Sequence, residues 1–192
     1  MPAQAEVLDL VGEIYDCAID ANRWPAVLQR ICDFVQTEFC LLASEDVAHE
    51  LGLPVRMRLV AFAFAGVEPE VMGMGPVPAT EKALAKAGLS IEDIGLFEIN
   101  EAFAVQVLAF LDHFGIADDD PRVNPWGGAI AVGHPLASSG IRLMTQLARH
   151  FEEHPEVRYG ITTMCIGIGM GGTVIWENPH WTGDRDSKEH AA

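Results

Sequence analysis

Basic side chains are scarce. The 192-residue chain carries 12 Lys and Arg against 28 Asp and Glu, a formal net charge of -16. Binding to nucleic-acid phosphates needs clustered cations. The few present here are scattered, so nucleic acid is not an expected partner. The acidic excess favours solubility and demands that any contact with an anionic ligand be local. Cysteine is scarce as well. The four cysteines, Cys17, Cys32, Cys40 and Cys165, show no CxxC pairing and have no His at ligand spacing beside them. Neither a metal site nor a disulfide framework is expected, and the first three read as core filling. Long hydrophobic runs are missing too. Glu, Asp, Arg or Gly interrupts every apolar stretch short of the roughly 20 residues of a membrane span. The opening MPAQAEVLDLVGEIYD lacks a basic n-region and an apolar h-region, so no signal peptide is expected, and the expected location is the cytoplasm.

What is present is a core. Hydrophobic residues make up 49% of the chain, enough to fold around. Residues 6–38 have helical spacing in Val7, Val11, Ile14, Tyr15 and Ala18, then in Val27, Leu28, Ile31 and Phe34. With Pro25 suited to a first turn, they predict a helical hairpin over 1–38. Beyond it the pattern predicts strands at 39–43, 56–65, 96–99, 159–165 and 173–177. Helices are expected at 45–51 behind a Ser44 N-cap, at 79–87 closed by Gly88, at 101–113 and at 137–153. The last has a stripe of Ile141, Met144, Leu147, Ala148 and Phe151. Residues 72–78 and 121–136 read as loops, 118–120 as an acidic surface turn, and 182–192 as a frayed polar tail. Alternating strands and helices, with strands apolar on both faces, imply an α/β layered sheet covered by helices on both sides. No segment is repeated.

Three loops hold groups able to do chemistry, each beside a strand end or helix start, where ligands of α/β sheets sit. They are Asn100-Glu101-Ala102-Phe103, Gly133-His134-Pro135 and Cys165-Ile166-Gly167-Ile168-Gly169. Singly, each has a plain structural reading: a helix cap, a loop histidine, a core cysteine before a tight turn. Together they suggest more. A His can deprotonate a thiol or donate to an oxyanion, a Cys of suitable pKa can shuttle a proton, and glycines expose backbone N–H groups to developing charge.

These motifs, in this order, resemble the C-terminal signatures of thiolases. So does the text between them, including Phe97-Glu-Ile-Asn-Glu-Ala-Phe103 and Asn124-Pro-Trp-Gly-Gly-Ala-Ile-Ala-Val-Gly-His-Pro-Leu-Ala-Ser-Ser-Gly140. The resemblance spans residues 40–178 and leans toward the bacterial β-oxidation type. It implies a thiolase-like layered α/β fold with a mixed sheet over residues 39–181. It also implies acyltransfer between coenzyme A thioesters through an acyl-cysteine, with CoA as substrate and no resident cofactor. By motif, His134 matches the activator of the nucleophile and Asn100 the residue that holds a water in the first oxyanion hole. Cys165 matches the acid/base cysteine, and the Gly167 N–H matches a donor of the second oxyanion hole. Ala102 and Phe103 match the lining of the CoA channel, and Glu101 reads as a hydrogen-bonding anchor.

The departures from the family carry equal weight. The segment that bears the acylated cysteine in thiolases has no counterpart here, and neither Cys17 nor Cys32 sits in a comparable glycine-rich turn. Residues 10–28 resemble instead the opening of LuxR-type regulators, with no helix-turn-helix following. The expectation is a thiolase C-terminal catalytic domain that is inactive alone and completed by a chain supplying the other half, or by a β-oxidation complex subunit. The alternatives are a non-enzymatic module that binds acyl-CoA or a thiolase subunit, and a truncated or fused remnant.

Overall fold

The computed structural model describes residues 44–183. The expected hairpin over 1–38, the strand at 39–43, the LuxR-like stretch, Cys17, Cys32, Cys40 and the tail from residue 184 lie outside the described residues. Those from Ala48 onward belong to one compact unit.

A short helix α1, Glu45–Glu50, begins where Ser44 Oγ accepts the Val47 N–H at 3.4 Å, an N-cap bond. Strand β1 is Arg58–Gly66. A 3-10 turn, Pro69–Met74, leads into helix α2, Pro76–Ala87. That helix starts earlier than residue 79. Pro76 and Pro78 fall in its first turn, where amide hydrogens have no intrahelical partner and their absence costs nothing. Gly88, in the left-handed region, ends it. Strand β2 is Ile94–Ile99, and helix α3 is Ala104–Phe114. The latter starts later than residue 101, because Phe103 is held extended at φ -144°, ψ 136°. A single turn α4, Ala129–Val132, interrupts the expected 121–136 loop. Helix α5, Ser139–Glu153, and the hairpin of β3, Tyr159–Ile166, with β4, Met170–Glu177, complete the fold. The acidic turn is not wholly a solvated one, since Asp120 pairs with Arg122 at 2.7 Å.

The sheet has four strands in the order β1-β4-β3-β2. β4 runs antiparallel to β1 and β3, and β2 runs parallel to β3. The sheet is therefore mixed, with the parallel pair joined through α3, α4 and α5. Its two faces are packed differently. On one face Ala63, Phe97, Ile99, Ile161 and Ile175 join residues of α2 and α3 in the main core. On the other, Leu96 and Trp176 pack under Leu147 and Phe151 of α5. Gly160 lies there too: a Cβ on it would come 2.7 Å from Leu147. This is the two-sided helix cover expected from the apolar strands.

Among the described residues the helix cover is incomplete on the α5 side. That helix lies over β2 and β3, and β1 leaves Phe62 49% and Phe64 63% exposed on the same face. A groove of about 190 Å³, lined by Phe64, Gly140, Leu143, Met144, Met164 and Val174 among others, runs between them. The stripe of α5 also differs from expectation. Its buried residues include Leu143, Leu147, His150 and Phe151, while Ile141 faces outward at 54% exposure. The spacing 143, 147, 150, 151 follows one helix face. A histidine on that face disguised it in the sequence.

Candidate active site

Strand β2 points Leu96, Glu98 and Asn100 toward α5, because alternate residues share a face. Asn100 ends the strand fully buried, its N–H bonded to Thr163 O at 2.9 Å. His134 lies in the turn before α5. Its Nε2 is 3.3 Å from Asn100 Nδ2, and its Nδ1 is 2.7 Å from Ser139 Oγ. Cys165 lies near the end of β3, half-buried, and donates to Gln106 Oε1 at 3.4 Å. Gln106 Nε2 donates in turn to Asn100 O at 3.4 Å. Of the three side chains expected to converge, His134 and Asn100 meet directly, and Cys165 connects to them through Gln106 and the backbone carbonyl of Asn100.

The loop below them is anchored by Asn124 and Glu101. Asn124 takes a left-handed φ of 44°. Its Oδ1 accepts the Ile99 N–H at 2.8 Å, and its Nδ2 donates to Ile99 O at 3.0 Å and Glu101 Oε1 at 2.7 Å. The side-chain amide thus continues the edge of β2 as a strand would. The other Glu101 oxygen accepts the Ile130 N–H at 3.0 Å. Residue 128 must be glycine for this carboxylate to fit, since a Cβ there would fall 2.1 Å from Glu101 Cδ. Glu101 therefore anchors, as expected, and fixes the segment carrying His134 against β2.

Ala102 is half-buried, and Phe103 is exposed beside the start of α3. Gly167 lies in the turn between β3 and β4, exposed, with open space where a side chain would project. It follows Cys165 by two residues along the chain. Burial pushes the Cys165 thiol above its ordinary range, partly offset by a backbone hydrogen bond. The group is accordingly a thiol near neutral pH, in the form that gives up a proton.

Sequence reasoning missed Gln106, Ser139 and Asn124 as participants. Gln106 had a legible signal: a buried polar residue on the apolar face of α3, beside Val107, Phe110 and Leu111. Ser139 had none, because it looks like any residue opening a helix. Among the described residues, His150, Glu153 and His154 are close enough to hold a metal ion. They lie at the opposite end of the 15-residue α5 from His134, about 20 Å along the axis, and take no part in this site.

Comparison with known proteins decides the family. Residues 53–178 match the family model described as thiolase, C-terminal domain. The chain belongs to the thiolase family. It is similar to a 3-ketoacyl-CoA thiolase of Pseudoalteromonas translucida, 53% identical over 138 residues, covering 71% of this chain and 35% of that protein. It is equally similar, at 53% over 137 residues, to the 3-oxoadipyl-CoA/3-oxo-5,6-dehydrosuberyl-CoA thiolase of Escherichia coli, with 71% and 34% covered. Human mitochondrial 3-ketoacyl-CoA thiolase superposes with a TM-score of 0.68 at 41% identity, covering 71% of this chain and 34% of that structure. The chain thus spans about a third of the length of the thiolases it matches. No helix among the described residues is long and apolar enough to cross a membrane.

Proposed function

We propose that this thiolase domain supplies the acid/base half of an acyl-CoA acyltransferase site, in the cytoplasm, and needs a cysteine nucleophile from outside the described residues to turn over. The observation that carries this reading is the chain of contacts from His134 through Asn100 and Gln106 to Cys165. Cys165 is the sole cysteine among the described residues, and its thiol is committed to Gln106 rather than to His134.

In thiolysis, His134 takes the proton of the incoming cysteine thiol, and the thiolate adds to the 3-keto carbon of a 3-ketoacyl-CoA. His134 and a water held by Asn100 steady the oxygen that gains charge. The bond between C2 and C3 breaks, its electron pair passes to C2, and Cys165 protonates that carbon, releasing acetyl-CoA. The acyl group stays on the nucleophile as a thioester. Cys165, now a thiolate, takes the proton of a second CoA, whose sulfur attacks that thioester and carries the acyl group away. The N–H of Gly167 stabilises the enolate oxygen, and Ala102 and Phe103 border the CoA channel. The reverse sequence forms acetoacetyl-CoA from two acetyl-CoA molecules. CoA thioesters are substrates here, and the reading requires no resident cofactor. The nucleophile arrives on a separate polypeptide carrying the remainder of a thiolase, or on a subunit of a β-oxidation complex.

The test mixes the full chain with acetoacetyl-CoA and CoA and follows loss of the enolate absorbance. The chain alone is expected to show none. Adding a thiolase N-terminal half should restore turnover, and His134→Ala in the mixture should lower it by about 10²-fold or more. Turnover by the chain alone would overturn the requirement for an external nucleophile. A second reading, a non-catalytic module that binds acyl-CoA or a thiolase subunit, is favoured by the exposed Phe62 and Phe64. It predicts binding of that half without turnover.

A further inference from the structure

We infer that Ser139 is a positioning residue that fixes the tautomer of His134, placing the ring proton on Nδ1 and leaving Nε2 as the base. The inference rests on the proposed role of His134. Ser139 is fully buried at the start of α5, five residues after the histidine. Its hydroxyl oxygen is 2.7 Å from His134 Nδ1 and 3.1 Å from Pro135 O. A carbonyl oxygen only accepts, and a serine has a single hydrogen to give. When that hydrogen goes to Pro135 O, the serine oxygen can only accept from the ring, so Nδ1 carries the hydrogen. On the other side of the ring, Asn100 presents Nδ2, a donor, to Nε2 at 3.3 Å. Both neighbours then select one tautomer, and the hydrogen bond at one ring nitrogen decides what the other can do.

The consequence is chemical. A neutral imidazole with its proton on Nε2 cannot accept a thiol proton at that atom. With Ser139 in place, Nε2 keeps its lone pair, which an incoming thiol can reach by displacing the long 3.3 Å contact from Asn100 Nδ2. As the ring takes up a proton, both nitrogens become donors. Ser139 Oγ still accepts from Nδ1, so the cation keeps its orientation.

The test is nitrogen NMR of the full chain, with ring signals assigned by loss of the His134 resonances in His134→Gln. Long-range couplings distinguish a protonated from an unprotonated ring nitrogen at a pH where the ring is neutral. The expected result is the Nδ1–H form in excess by roughly tenfold, the ratio that one hydrogen bond of typical net worth supports. Ser139→Ala should reduce that excess, with only the Asn100 amide left to favour Nδ1–H, and Ser139→Thr should restore it. Should the alanine variant fail to fold, the unmodified chain and the threonine variant still decide: Nε2–H as the main form in either overturns the inference. An alanine variant that folds with an unchanged tautomer ratio overturns it as well. The spectrum is read without turnover, so a chain that proves catalytically silent in every mixture leaves this measurement intact.

Discussion

The two faces of the sheet are built to different rules. Toward α2 and α3 the strands present Ala63, Phe97, Ile99, Ile161 and Ile175, a sealed, mainly apolar layer in which buried Thr163 and Thr173 hydrogen-bond to each other, and Thr173 to Thr80 of α2. Toward α5 they present Glu98, Asn100, Thr162 and Trp176, and the cover stops short of Phe62 and Phe64. One face holds the fold together. The other buries the titratable pair Glu98 and His150, places the site at its rim, and leaves apolar surface open among the described residues. Burial of apolar area scales with what is removed from water, so the first face should dominate stability. Polar groups taken out of water cost free energy unless they find partners, so the second should add little or subtract.

The largest expected effect tests the sealed face. Phe97 of β2 is fully buried within it. Phe97→Ala should destabilise the folded chain by about 3–5 kcal/mol, read as a lowered urea midpoint with unchanged slope. A loss below about 1 kcal/mol would mean that this face is not the main core.

A smaller effect, of opposite sign, tests the polar face. Glu98 lies under α5, 3.3 Å from His150, with both residues almost wholly buried. Neither carboxylate oxygen has a hydrogen-bond partner meeting normal geometry, and the Nε and Nη2 atoms of nearby Arg142 have none either. Burial raises the Glu98 carboxyl above its ordinary range. His150 and Arg142 pull it back only in part, and Glu101 adds to the rise. A raised carboxyl binds its proton more tightly in the folded than in the unfolded state. Below the ordinary carboxylate range both states carry the proton, and Glu98→Gln should change nothing. As the pH climbs past that range the unfolded chain ionises freely while the folded one resists, so the wild type loses stability that the variant keeps. The variant should therefore be more stable by about 1 kcal/mol near neutral pH, with the gain disappearing in acid. Chemical denaturation at several pH values measures it. A variant less stable at neutral pH would show that the pairing with His150 outweighs the desolvation.

The same contrast explains what the sequence revealed. Residues of the sealed face were legible, because Phe97, Ile99 and Ile161 lie in strongly apolar runs whose period points to strands. The ends of α2 and α3 were less so. Pro76 and Pro78 look like loop residues until a helix start claims them, and the extended backbone at Phe103 comes from a loop pinned by Asn124, twenty-one residues away. The convergence of Asn100, His134 and Cys165 could be expected from motif order. The connecting Gln106 and the orienting Ser139 could not, because a tertiary hydrogen bond leaves no period in a chain. His150 illustrates the limit from the other side: a titratable residue sits on the buried stripe of α5, and its closeness to Glu98 and to the Trp126 ring, both distant in sequence, accounts for it.

The smallest effect on stability tests the open edge. Phe62 and Phe64 meet edge to face, with ring centroids 6.1 Å apart, yet both remain largely in contact with water. Replacing both with Thr keeps a β-branched side chain suited to a strand. It should shift stability by no more than about 0.5 kcal/mol, as for other surface positions. What should change is association. Exposed apolar patches promote contact between molecules, so sedimentation at rising concentration should show less self-association in the double variant. Binding of a thiolase N-terminal half should weaken in parallel if the nucleophile arrives across this groove. A large loss of stability would instead mean that the two rings are covered in solution, and the contrast between a sealed face and an open one would fail at the strand where it is sharpest.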